Sequence, residues 1–100
     1  MNLHLVFSSP NATPALSDCL KNIDSCDGLV LIEDGVYASI DSAFQNQINK
    51  FNQCYLVVSD SIARGLSPAA SGENALNIKP ISYDDLVDLT LNYDKTISWR

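Results

Sequence analysis

Leu29-Val30-Leu31-Ile32-Glu33-Asp34-Gly35 is the stretch that decides the fold. Four apolar residues in an unbroken run suit a strand covered on both faces, as at the centre of a parallel sheet. The run stops abruptly on two acids and a glycine. Beyond it Val36, Tyr37 and Ile40, then Phe44, Gln47, Ile48 and Phe51, recur at helical spacing. A strand that leads directly into a helix is the repeating unit of α/β proteins.

The same alternation extends in both directions. Upstream, Asp27-Gly28 makes a turn, and Leu3 to Phe7 reads as a first strand that ends on Ser8-Ser9-Pro10. Between them Thr13 caps a helix with Pro14 at its first position. Leu16, Cys19, Leu20 and Ile23 form its apolar stripe. Downstream, Cys54 to Val58 is a third strand, rich in β-branched and aromatic residues. Ser59-Asp60 is expected to cap a short helix through Ile62 and Ala63, which Gly65 ends in the left-handed conformation. Residues 67–74, with Ser, Pro, Ala and Gly, read as loop. Ile78 to Ile81 is a fourth strand interrupted by Pro80. Ser82 caps a last helix, with Asp85 completing an imperfect capping box and Leu86, Val87, Leu89, Thr90 and Tyr93 giving a partly apolar face. Asp84 and Asp85 sit where the helix dipole favours anions. Thr96-Ile97-Ser98-Trp99 closes the chain. Four strands alternating with four helices predict one α/β domain over residues 1–100, a mainly parallel sheet with helices on its faces.

Composition narrows the function. The formal net charge is −6, and Lys21, Lys50, Arg64, Lys79, Lys95 and Arg100 are scattered. Gripping a phosphate backbone needs clustered Lys and Arg, so no direct nucleic-acid binding is expected. Met1 to Phe7 lacks the basic start of a signal peptide, and no stretch has the length of a membrane span. Cys19, Cys26 and Cys54 form no paired framework, which fits reduced thiols in a cytoplasmic protein. One histidine and three dispersed cysteines build no metal site. Without a Gly-rich phosphate loop, no cofactor is implied.

Chemistry in an open parallel sheet gathers at the carboxyl ends of its strands. Ser8-Ser9-Pro10, Glu33-Asp34-Gly35, Ser59-Asp60 and Ile81-Ser82 all fall there. Asp34-Gly35 is the sharpest of these corners, and both plain turn chemistry and a binding role account for it. His4 alternates with Leu3 and Leu5 and reads as structural. Asp60 after the third strand resembles the acceptor of a phospho-receiver domain, but Ser8-Ser9-Pro10 stands where such domains need acids to hold Mg²⁺. Sulfur chemistry would need an exposed thiolate of lowered pKa. Cys19 lies on an apolar stripe beside Asp18, which raises a thiol pKa, so local physics favours packing.

Glu33-Asp34-Gly35-Val36-Tyr37-Ala38 also resembles a segment of the TusB/DsrH family of small sulfur-relay proteins. Further pieces resemble the family in order: Ser9-Pro10 after the first strand, Asp60-Ser61-Ile62-Ala63-Arg64-Gly65-Leu66, Ile81-Ser82-Tyr83-Asp84-Asp85-Leu86-Val87-Asp88-Leu89-Thr90, and Ile97-Ser98-Trp99. The resemblance implies a DsrEFH-like, three-layer α/β/α fold. It implies a cytoplasmic heterohexamer with TusC-like and TusD-like (DsrF- and DsrE-like) subunits, in a relay that runs from TusA through the TusD-like subunit to TusE and tRNA wobble-uridine thiolation. In that setting the chain is a structural subunit, and Asp34, Gly35, Val36, Tyr37 and Arg64 are candidate interface residues, with Val36, Tyr37 and Ile40 facing a partner rather than the core. The sulfur-oxidising DsrH branch carries a cysteine in its first helix. Cys19 within Ala15-Leu16-Ser17-Asp18-Cys19-Leu20-Lys21 resembles it, so the same likeness offers Cys19 as a persulfide-carrying catalytic residue.

Overall fold

Period-two alternation along each strand sorts the apolar side chains onto two faces of one sheet. In the computed structural model, which describes residues 1–48, 53–66 and 78–100, the strands are β1 (Asn2–Val6), β2 (Gly28–Leu31), β3 (Cys54–Val57), β4 (Ile78–Ile81) and β5 (Lys95–Trp99). All pair in parallel, in the order β4-β3-β2-β1-β5. The helices are α1 (Ala15–Asn22), a 3₁₀ helix (Glu33–Ile40), α2 (Ser42–Ile48), α3 (Val58–Ala63) and α4 (Tyr83–Thr90). None among the described residues is long and apolar enough to cross a membrane.

One face joins Val6, Leu29, Leu31, Cys54 and Leu56 to Leu16 and Cys19 of α1, Val36 and Ala38 of the 3₁₀ helix and Ile48 of α2. The other joins Leu3, Leu5, Val30, Ile32 and Val57 to Leu86 of α4, with Leu89 and Tyr93 half-buried beside them. Handedness explains the split. The chain steps in one direction from β1 to β4, then returns to the opposite edge for β5. Right-handed crossovers in opposite directions put their helices on opposite faces. The result is the three-layer α/β/α fold with a parallel sheet that the resemblance implies.

Several boundaries differ from the sequence reading. The largest difference is β5, which the chain adds beside β1 where the sequence reading ends on a helix. Lys95-Thr96-Ile97-Ser98-Trp99 has no apolar run, because an edge strand needs only one half-buried side. Pro80 sits in β4, at the other edge, where a missing N–H is tolerated. The helix after β2 is a 3₁₀ helix that begins at Glu33 itself, and the expected helical residue Phe51 and the expected 67–74 loop lie outside the described residues. Pro14, expected as the first helical residue, is instead the N-cap of α1, and no side chain caps that helix; Thr13 Oγ1 accepts from the N–H of Ala15 at 3.3 Å just ahead of it. Val58, read as strand, is the first residue of α3, and Ser59 and Asp60 do not cap that helix. Gly65 has φ +74°, the left-handed ending expected of it. The Ser82–Asp85 capping box closes in both directions, each bond 3.1 Å.

Candidate functional site

At the carboxyl rim of the sheet, Asp60 lies two residues into α3, which starts directly after β3. Its Oδ2 accepts the Glu33 N–H at 2.8 Å and the Tyr83 hydroxyl at 2.6 Å. It therefore ties together the residues that follow β2 and β4. Arg64, one turn further along, donates from Nε to Asp34 Oδ1 at 2.7 Å and from Nη1 to the Asp60 carbonyl at 3.1 Å. Its Nη1 is also 3.9 Å from Asp60 Oδ1. Asp34, Arg64, Asp60, Glu33 and Tyr83 thus form one hydrogen-bonded network across three strand ends.

The network fixes a strained corner. Glu33 has φ +51°, a left-handed conformation that costs an L-residue about 1–2 kcal/mol, and its N–H is the one Asp60 holds. Gly35 is required by close approach: a Cβ there would lie 2.0 Å from the Val6 carbonyl oxygen. The 3₁₀ helix is therefore pressed directly onto the end of β1. The hydrogen bond that Tyr83 donates to Asp60 pushes its phenol up to about 12, reinforced by burial and by the charges of Asp60 and Glu33. Asp34's hydrogen bond raises Arg64 further still and keeps the guanidinium charged. Beside the network, Ser9, Asn11, Tyr37, Ile40 and Asp41 line an open groove of about 510 Å³ between the loop after β1 and the 3₁₀ helix.

The expected site residues divide into three groups. Asp34 and Arg64 meet in an ion pair, and Tyr37 lines the groove. Gly35 is buried, and Val36 is wholly buried in the core, so its side chain offers no docking surface; of the apolar trio, only Ile40 is largely exposed, at 57%. Cys19 is fully buried under α1. Burial, reinforced by the negative charge of Asp27, pushes its thiol up to about 12. Burial does the same to Cys54. Cys26 is exposed, but it precedes β2 and so lies at the amino end of the sheet. Among the described residues, no three His, Cys, Asp or Glu side chains converge as metal ligands would.

Glu33, Asp60 and Tyr83 are members of the rim network that the sequence reading did not assemble. They were legible in part, since each lies one to three residues beyond a strand end. Their mutual bonds depend on which strands become neighbours. His4 takes a different, internal role. Trp99 Nε1–H donates to its Nδ1 at 3.0 Å, so its other nitrogen, Nε2, bears the proton and donates to Asp27 Oδ2 at 3.0 Å. Burial pushes the Asp27 carboxyl up, but the N–H groups of Asn2, His4 and Asp24 outweigh it and hold the acid below its ordinary value. This chain of bonds pins β5 to β1 and to the turn before β2.

Comparison with known proteins follows the same lines. Residues 8–96 match the family described as DsrH-like protein. Protein TusB from Escherichia coli (strain SE11) is 32% identical over 99 residues, 97% of this chain and 99% of the relative. Protein TusB from Shigella boydii serotype 18 is identical to the same extent over the same coverage. Among solved structures, the ychN protein from E. coli superposes with a TM-score of 0.73 at 18% identity, covering 99% of each chain. The solution structure of protein Tm0979 from Thermotoga maritima gives 0.65 at 22% identity, covering 92% of this chain and 93% of that one. These two likenesses establish shared fold.

Proposed function

This chain belongs to the DsrH-like protein family, and on that premise we propose that it is a structural subunit of a cytoplasmic sulfur-relay complex that supports thiolation of the tRNA wobble uridine. The observation that carries the reading is the match to TusB along nearly the whole length of both chains. In this reading TusC-like and TusD-like subunits complete a heterohexamer, and TusA, TusE and tRNA engage the assembly through those partners. The rim formed by Asp34, Tyr37 and Arg64, with buried Gly35 fixing the corner behind them, is the side that meets a sister subunit.

Two physical arguments support a structural role. Sulfur transfer needs an accessible thiolate, and burial keeps Cys19 and Cys54 protonated. A chain of net charge −6 with scattered cations repels a phosphate backbone, so a partner supplies the tRNA contact.

The test is complementation of a host that lacks this chain, with thiouridine measured by mass spectrometry of digested tRNA. The native chain and Cys19→Ser are both expected to restore thiolation and to co-purify with the TusC-like and TusD-like proteins. Loss of thiolation in Cys19→Ser while the complex still assembles would show that Cys19 carries sulfur. A native chain that recovers neither sister protein would overturn the assembly itself.

A further inference from the structure

We infer that the outer stripe of α4 and its C-cap, formed by Tyr83, Val87 and Leu91, docks a surface of a sister subunit, one that is apolar at its centre and bordered by Lys or Arg. The inference rests on the assembly reading above and adds to it a surface and a partner chemistry.

Residues four apart share one side of a helix, so 83, 87 and 91 form a continuous line. They are 46%, 62% and 79% exposed. The core does not need them, because Leu86, with Leu89 and Tyr93 beside it, already covers the sheet from the inner side of α4. Large apolar side chains exposed singly are ordinary, but three in register form a patch. Tyr83 adds rigidity. Its hydroxyl is held by Asp60 at 2.6 Å, so docking against its ring immobilises little that is not already fixed. Aromatic anchors of this kind dominate interface energetics. The stripe also begins at the Asp34–Arg64–Asp60 network, so one continuous surface joins it to the rim.

Charge selects the occupant. Asp84, Asp85 and Asp88 share α4 with the stripe, and Asp94 follows shortly after. The helix holds no Lys or Arg; the nearest in sequence are Lys79 in β4 and Lys95 in β5. A second copy would dock by setting this patch against itself, as a two-fold contact requires. That would bring acid against acid between two chains of net charge −6. A sister-subunit surface bordered by Lys or Arg faces the same acids with attraction.

The experiment co-expresses the tagged chain with the TusC-like and TusD-like subunits of its host and quantifies their recovery on the tag. Val87→Glu/Leu91→Glu is expected to reduce recovery at least ten-fold while keeping native circular dichroism and Trp99 fluorescence. Asp88→Lys is expected to reduce it less, with a deficit that shrinks as salt rises. If the double variant unfolds, Leu91→Lys at the most exposed position replaces it, with the same expected direction. Undiminished recovery by a folded double variant would overturn the docking stripe and leave the assembly reading standing. Failure of the native chain to recover either subunit would overturn both. A native chain that dimerises alone through this stripe, and turns monomeric in the double variant, would overturn the choice of occupant.

Discussion

Gly35→Ala should be the most damaging single-methyl change in the described structure. The added Cβ would sit 2.0 Å from the carbonyl oxygen of Val6 and 2.9 Å from its carbon. Both atoms are backbone of β1, so no side chain can swing aside. The contact must open by about 1 Å to reach the shortest separation real Cβ atoms show. That same oxygen accepts the Ile32 N–H at 3.1 Å, so the movement also breaks a bond joining β1 to the end of β2. Overpacking costs about 1–3 kcal/mol, and the lost bond adds about 1 kcal/mol. Reduced freedom of the unfolded chain returns about 0.5 kcal/mol. A net loss of about 1.5–3.5 kcal/mol follows from these terms, or roughly 6–28 °C in Tm for a domain of this size. Urea unfolding monitored by Trp99 fluorescence measures it, with an unchanged m-value. Gly65→Ala is the internal control. There φ is +74° but nothing lies within 4 Å of the added methyl, so only the left-handed penalty of about 1 kcal/mol remains. A Gly35→Ala loss below about 0.5 kcal/mol, or one no greater than that of Gly65→Ala, would refute the close-approach argument.

Three further outcomes follow from the buried and hydrogen-bonded groups. A thiol titration of the native chain with a disulfide reagent at pH 8 should find only Cys26 reacting quickly, because Cys19 and Cys54 are buried with thiols pushed to about 12; two or three fast thiols in a folded sample would contradict this. Asp27→Ala leaves the N–H groups of Asn2, Asp24 and His4 without their acceptor and should cost about 2–4 kcal/mol at neutral pH. The folded carboxyl lies below its ordinary value of 3.8, so its contribution is fully present above that value and fades as pH falls through the folded value. Urea unfolding at pH 7 and pH 3 should therefore show the native chain losing more stability than the variant, and equal losses would rule the linkage out. Tyr83→Phe removes one of the two phenols raised to about 12, so the high-pH step in tyrosinate absorbance should shrink by one residue, while stability at neutral pH drops by no more than about 1 kcal/mol.

The layers of this fold were legible because central strands carry their signal locally. Leu29 to Ile32 is unbrokenly apolar since both of its faces are covered, and that alone indicates a buried parallel strand. The edge strand β5 was not legible for the converse reason. Ile97 and Trp99 alternate with Thr96 and Ser98 over a stretch too short to stand out, and the strand is held by a bond from Trp99 to His4, 95 residues away. The rim shows the same division. Asp34 and Gly35 announce a demanding corner in the sequence, whereas Asp60 as its hub depends on β2, β3 and β4 being neighbours. Val36 follows the corner in sequence and shares its helix, yet it turns inward to the core, because a tight 3₁₀ helix directs successive side chains to different sides.

The two layers of helices are unequal, and that inequality bears on how the chain works. One face of the sheet is closed by α1, the 3₁₀ helix and α2, while among the described residues α4 alone covers the other. Strands stand about 4.8 Å apart and a helix with its side chains spans about 10–12 Å, so one helix cannot span five strands. The apolar line along the outside of α4 sits on this thinner side. At the rim, meanwhile, the charged groups are matched to one another: Arg64 to Asp34 and Asp60, and Asp60 in turn to Glu33 and Tyr83. The rim offers no thiol, since Cys19 and Cys54 are in the core and Cys26 is at the opposite end of the sheet. A surface whose polar groups are bound to each other holds its shape well, but it has no sulfur nucleophile to offer. On the structural-subunit reading proposed above, such a chain contributes to a sulfur relay by the surfaces it presents.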